Sequence, residues 1–337
     1  MVPWDRNPPQ RSLRSSSCWP GKYNLIRRLE IKALIFTYRM YEACLTASFL
    51  DFFYVTIKGL GVGKRLWDVH VAINNRYRKL VDTYRKSQNE QMRNSVEHRK
   101  VERRYAAFLK TSQYFYKCYI QRISSHYGGV PGLRRIADRL SLDISSVDEA
   151  VMVDGEMALA LQISCHSTLL HLGDLSRYRN MLRTQDRSWK VAIAYYNLAD
   201  ALCPDIGSAQ NQLAVIALAD ANHLDAVLHL YRATTAKEAY PLARGNLEIE
   251  FKKISTAWDK QRSLPQTNSL NTLTWWFVLL HSRYYEGKIF STREELENEV
   301  LSRLRVLLKT QSFDDILEKF VLINVASQTV ALKRVDG

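Results

Sequence analysis

Arg177 and Tyr178 stand side by side in the segment Gly173-Asp174-Leu175-Ser176-Arg177-Tyr178-Arg179. A guanidinium offers charged, forked donors and a neighbouring phenol adds one more, which is the donor set that holds a phosphate group. Asp174 lies three residues before Arg177 and can occupy the same donors on a helix surface. Taken alone, that pairing is the plainer reading of Arg177.

The other constellations carry less chemistry. Gly59-Leu60-Gly61-Val62-Gly63-Lys64-Arg65 resembles a phosphate loop but lacks its spacing, because Lys58 occupies the place of the first glycine and Arg65 stands where a magnesium-binding Ser or Thr is needed. A flexible turn between helices is the expectation there. His166 and His171 are five apart, which does not suit paired metal ligands on a helix, and no Cys pair supports a site. No metal, no cofactor and no catalytic group are expected. The aromatic residues from Tyr105 to Tyr119 could stack bases, but aromatics on one helical face more often form core. The run from Arg76 to Arg104 holds ten Lys/Arg against four Asp/Glu. Arg99, Lys100, Arg103 and Arg104 are its candidates for tracking a nucleic-acid backbone. Ion pairs at helical spacing, such as Lys86 with Glu90 or Glu97 with Lys100, are the alternative.

The chain has 337 residues, 46% of them apolar, enough to bury a sizeable core. Its 48 Lys+Arg against 34 Asp+Glu give a net charge of +14, which favours polyanionic partners such as nucleic acid or phosphorylated segments. Five scattered cysteines without CxxC spacing imply reduced thiols and a nuclear or cytoplasmic location. The most apolar stretch, Ala33 to Ile57, is interrupted by Arg39, Glu42 and Asp51 and reads as one or two buried helices, so no membrane partner is expected.

The elements that must position Arg177 read as helices throughout. Residues 1–22, rich in Pro, Arg and Ser, are expected to be a disordered lead. Leu66, His70, Ile73, Tyr77, Leu80 and Tyr84 fall on one helical face, with Arg76 and Lys79 on a neighbouring one. A second helix carries Tyr105, Phe108, Leu109, Ser112, Phe115, Tyr116 and Tyr119 on one side. His126 to Gly132 is a strong turn, after which helices resume near Leu133 and near Asp148. Ala192, Tyr196, Ala199 and Pro204 match the second helix of a tetratricopeptide unit, and a period of about 34 residues brings in Ala226, Leu230 and Ala233. Leu213, Ala214 and Ala217 fill the helix between. A polar loop from Ser263 to Ser269 precedes the last part, where Ser291 with Glu294 and Ser312 with Asp315 mark helix starts. The expected fold class is all-α: a helical array over residues 23–262, followed over residues 263–337 by helical hairpins packed on it.

With these residues in place, Gly173 to Tyr178 resembles the G-D-x-x-R-Y segment of 14-3-3 proteins. The fuller resemblance is to the family of the ever-shorter-telomeres telomerase subunit and the SMG factors of nonsense-mediated mRNA decay. It runs over about residues 64 to 332 and includes His171–Arg179, Tyr195-Tyr196, Gly207, Asn211–Ala217, Tyr231–Ala233, Asn246-Leu247, Glu295–Val300 and Phe320–Asn324. The resemblance implies a 14-3-3-like, tetratricopeptide-like helical domain in which Arg177 and Tyr178 hold phosphoserine. It also implies further cations from an earlier helix: Lys79 falls at one such position, Ala72 stands where a lysine is expected, and Arg76, one turn away, is the candidate substitute.

The function that follows is a non-enzymatic adaptor of mRNA decay or telomere maintenance. It would bind a phosphorylated protein of the RNA-helicase type through Arg177, Tyr178, Lys79 and Arg76. The alternative is binding of telomeric single-stranded DNA or telomerase RNA through basic helical faces. A related helical family member is a further expected partner.

Overall fold

The computed structural model describes residues 62–86, 94–143, 150–183, 186–261, 269–287, 293–310 and 314–335. The expected lead over residues 1–22, the apolar stretch Ala33–Ile57, most of the polar loop after Ser263, and the helix-start residues Ser291 and Ser312 lie outside them. Two compact units divide the chain, with the boundary between Thr111 and Ser112.

The described part of the first unit consists of α1 (Val62–Lys86) and the first half of α2 (Asn94–His126). Because α1 begins at Val62, Gly63, Lys64 and Arg65 are helical and not part of a turn. Leu66, His70, Ile73 and Tyr77 are buried at alternating spacings of four, three and four, as the periodicity requires. Asn74 and Val81 complete the face, and Leu80 and Tyr84 are only half-buried. On α2, Tyr105 stacks on Tyr77 with ring centroids 5.0 Å apart, and its hydroxyl donates to Asn74 Oδ1. A stacked aromatic pair adds about 0.5–1.5 kcal/mol beyond its burial. Tyr105 and Leu109 are therefore core, and the base-stacking reading of this face does not hold for them.

The second unit begins with the rest of α2, where Ser112, Phe115, Tyr116, Ile120 and Ile123 are buried and Tyr119 is half-buried. The expected turn follows. Gly129 has φ +82°, and a Cβ there would lie 2.3 Å from the Val153 carbonyl oxygen, so only glycine fits. That close approach comes from a feature the sequence pattern does not announce. Tyr127–Gly128 (β1) pairs in parallel with Val151–Met152 (β2). Between the strands lies the short α3 (Leu133–Arg139), anchored by Leu133, Ile136 and Ala137. Asp148, near which a helix is expected to resume, lies outside the described residues; after β2 and an extended Asp154 the chain enters α4 (Gly155–Met181).

The remaining helices are α5 (Lys190–Leu202), α6 (Ser208–Ala219), α7 (His223–Thr235), α8 (Ala243–Gln261), α9 (Ser269–Glu286), α10 (Arg293–Thr310) and α11 (Asp314–Val335). Each of α4 to α8 packs on the next, as stacked hairpins do. Ala192, Tyr196, Ala199, Leu213, Ala214, Ala217, Ala226, Leu230 and Ala233 are all buried. The small residues of the repeat thus sit where helices approach closely. Pro204 follows the end of α5 by two residues, where the helix can no longer continue. A large core cluster joins α6 to α11 through Leu228, Tyr231, Phe251, Phe277 and Phe320. Phe277 stacks on Phe320 at 3.9 Å, and α11 folds back onto α7, where Lys319 Nζ lies 2.6 Å from Asp225 Oδ1. Among the described residues the architecture is all-α apart from the two-residue strand pair.

Candidate functional site

Arg177 and Tyr178 sit in the last two turns of α4, and the residues before them explain how they are held. A Cβ on Gly173 would lie 2.3 Å from the ring of Tyr196, so glycine at this point lets α5 press its phenol flat against the α4 backbone. The Tyr196 hydroxyl then reaches Asp174 Oδ1 at 2.7 Å. Arg177 Nη2 donates to the same oxygen at 2.8 Å. The guanidinium carbon lies 5.1 Å from the centroid of the Tyr178 ring, a cation–π arrangement that fixes it from another side. Ser176 is tied in by its own bonds: its hydroxyl donates to Leu172 O and accepts from Gln113 Nε2, both at 2.8 Å.

The expected pairing of Asp174 with Arg177 is therefore present, but it is not a surface pairing. Their side chains are only 11% and 18% exposed. Burial opposes the charge on Arg177, yet the Asp174 carboxylate against it more than offsets that cost and holds the guanidinium protonated. Burial, reinforced by Asp174, raises the Tyr196 hydroxyl well above its usual range, so it acts as a neutral donor. Among the described residues the buried Arg177 Nε has no hydrogen-bond partner. Leaving such a donor unsatisfied costs about 1–3 kcal/mol.

The other site candidates lie on the first unit. Arg76 is half-buried and Lys79 exposed, and both are on α1; Ala72, at the expected lysine position, is exposed. Arg76 and Lys79 thus share one helix, and Arg177 and Tyr178 share another in a different compact unit. Arg99, Lys100, Arg103 and Arg104 are on α2, and all four are exposed. Lys100 makes the expected pair with Glu97 at 2.8 Å. Glu102 takes up Arg85 at 3.4 Å, so part of the basic run is already compensated. Glu90, the other expected partner, lies outside the described residues.

Among the described residues no cluster of His, Cys, Asp and Glu suits a metal ion, and no helix is long and apolar enough to cross a membrane. His166 is a packing residue: its Nδ1 meets Ala199 O and its Nε2 meets Ser208 Oγ, both at 3.0 Å, tying α4 to the end of α5 and the start of α6. His171 packs its ring on Tyr116. Cys118, Cys165 and Cys203 are free thiols, and burial pushes Cys165 up to about 12. The residue that sequence reasoning assigned only to packing is Tyr196. Its signal was present: a glycine on the preceding helix, followed directly by a carboxylate that a phenol can reach.

The second unit is a stack of helical hairpins with the Arg177–Tyr178 pair on α4. Residues 61–183 match the family described as telomerase activating protein Est1, and residues 192–335 match the Est1 DNA/RNA binding domain. The chain is 31% identical over 173 residues to nonsense-mediated mRNA decay factor SMG7 of Arabidopsis thaliana, covering 50% of this chain and 16% of that protein. It is 25% identical over 203 residues to SMG7 of Danio rerio, covering 59% and 16%. With SMG5 of Homo sapiens it shares 33% over 94 residues, covering 28% and 9%. The fold is similar to that in the crystal structure of Est1 and Cdc13, with a TM-score of 0.57, 12% identity, and coverage of 89% of this chain and 64% of that one. It is also similar to that in the C. elegans SMG5–SMG7 complex, with a TM-score of 0.50, 17% identity, and coverage of 94% and 76%. The chain belongs to the Est1/SMG family. It aligns with about one sixth of the length of the SMG7 relatives.

Proposed function

We propose that this chain is a non-enzymatic adaptor module of nonsense-mediated mRNA decay or telomere maintenance, and that it holds a phosphorylated segment of an RNA-helicase-type partner at Arg177 and Tyr178. The observation that carries the reading is the state of Arg177. It is a largely buried, permanently charged guanidinium, bound to Asp174 and lying over the Tyr178 ring. A phosphate would compete with Asp174 for the donors of this guanidinium, and its charge makes such bonds strong. Arg76 and Lys79 on α1 are further proposed phosphate-binding cations. Membership in a family with decay factors among its relatives supports the pathway.

Losing one charge-assisted contact costs about 1.5–3 kcal/mol. Arg177→Ala should therefore weaken binding of a phosphoserine peptide from an RNA helicase about ten- to a hundredfold. Titration calorimetry with phosphorylated and unphosphorylated forms of the same peptide tests this, and equal affinity for the two forms would overturn it.

A second reading is binding of single-stranded DNA or RNA, favoured by the match of residues 192–335 to a DNA/RNA binding domain. Arg99, Lys100, Arg103 and Arg104 on α2 are its candidate contacts, and they lie outside that matched range. Neutralising all four should flatten the slope of log affinity against log salt by about four times 0.7, the single-strand value per phosphate. An unchanged slope removes these residues from the interface. A related helical family member is a further proposed partner, supported by the SMG5–SMG7 complex among the similar folds.

A further inference from the structure

We propose that Tyr196 is a positioning residue of the phosphate site, acting through Asp174: its hydroxyl and Arg177 Nη2 share one carboxylate oxygen, so that Asp174 keeps a donor when Arg177 turns to a ligand. The inference rests on the reading of Arg177 as a phosphate ligand.

The geometry supports it in three respects. Both bonds end on Asp174 Oδ1, from Tyr196 at 2.7 Å and from Arg177 at 2.8 Å. The carboxylate is buried, with 11% of its side chain exposed, so water is a poor replacement for a lost donor. Tyr196 is fully buried, and its ring is set by contact with Gly173, so the hydroxyl cannot swing away.

The consequence is a balance of charges. A phosphate competes with Asp174 for the donors of Arg177. If Arg177 were the only donor to that oxygen, drawing it toward the ligand would leave a buried anion poorly compensated, and the protein would resist. Tyr196 lowers that resistance without adding charge. Because Tyr196 belongs to α5 and the pair belongs to α4, closure of this hairpin sets the strength of the site. The aromatic position of the repeat thereby gains a role beyond packing.

The test is a double-mutant cycle on Tyr196→Phe and Asp174→Asn, read by calorimetry against a phosphoserine peptide and its unphosphorylated form, with melting curves to verify folding. Phe keeps the ring against Gly173 and removes only the hydroxyl. Tyr196→Phe should weaken binding of the phosphorylated form about five- to tenfold and leave the unphosphorylated form unchanged. Asp174→Asn keeps an acceptor oxygen but removes the competing charge, and should tighten phosphopeptide binding about threefold. In the Asp174→Asn background the Tyr196→Phe loss should shrink to less than about twofold, because a neutral amide needs no compensating donor. Wild-type affinity in Tyr196→Phe, equal weakening for both peptide forms, or an undiminished loss in the double variant would each overturn the proposal. If Arg177→Ala itself leaves phosphopeptide binding intact, the reading of the site falls first, and the two failures are thereby distinguished.

Discussion

At the scale of single residues, Gly173 is the clearest case of a sequence position whose reason lies in a neighbour. It is a glycine in the interior of a long helix, where alanine would ordinarily be better by about 1 kcal/mol. Here a Cβ would collide with the aromatic ring of Tyr196 at 2.3 Å. Gly173→Ala should therefore destabilise the fold by about 1–3 kcal/mol despite the gain in helix propensity. A urea denaturation midpoint checks it, and a midpoint at or above wild type would mean the ring yields at no cost. The Arg–Tyr pair itself was legible as a string of letters, because the two side chains are adjacent on the chain. The bond from Tyr196 to Asp174 was not, because it joins residues 22 apart and depends on how α5 lies across α4.

At the scale of elements, the array is a sequence of hairpins that cover one another's apolar faces. The periodic helices were readable because buried residues recur every three or four positions, as Leu66, His70, Ile73 and Tyr77 do on α1. The start of α4 was not, because a parallel pairing of Val151–Met152 with Tyr127–Gly128 takes the chain first, and a two-residue strand leaves no alternation to detect. The last helices depend on a long-range return. Phe277 on α9 stacks on Phe320 of α11 within the core cluster that also holds Leu228 and Tyr231 of α7. Phe277→Ala should cost about 3–5 kcal/mol, the range for truncating a buried aromatic. Denaturant unfolding followed by circular dichroism measures it. A loss below about 1 kcal/mol would mean that α11 is not held by this contact.

At the scale of the whole molecule, burial makes stability depend on pH in a predictable direction. Burial holds His229 and His281 down to about 4 from an ordinary value of 6.5. Between those values the unfolded chain binds protons that the folded chain does not. Stability from these two histidines is thus complete above about 6.5, is lost as the pH falls toward 4, and changes by up to about 1.4 kcal/mol per pH unit per histidine. Glu250 adds to the same trend. Its burial favours the neutral acid, but the hydrogen bond and charge of His223, with Lys253 nearby, bring its value below the ordinary one. Its contribution is present at neutral pH and is lost as the pH falls through the folded value. Melting temperatures measured from pH 7 to 4 should decline, and His281→Gln should flatten the decline; an unchanged slope would mean that His281 does not stay neutral in the folded state. Composition, charge and helical period by themselves determined the fold class, the repeat spacing and the location of one cation–phenol pair, because those are properties of neighbours along a chain. Only the tertiary structure decided that Arg177 is held by a carboxylate shared with Tyr196, since which donors a buried charge satisfies is fixed by helix packing and not by spacing.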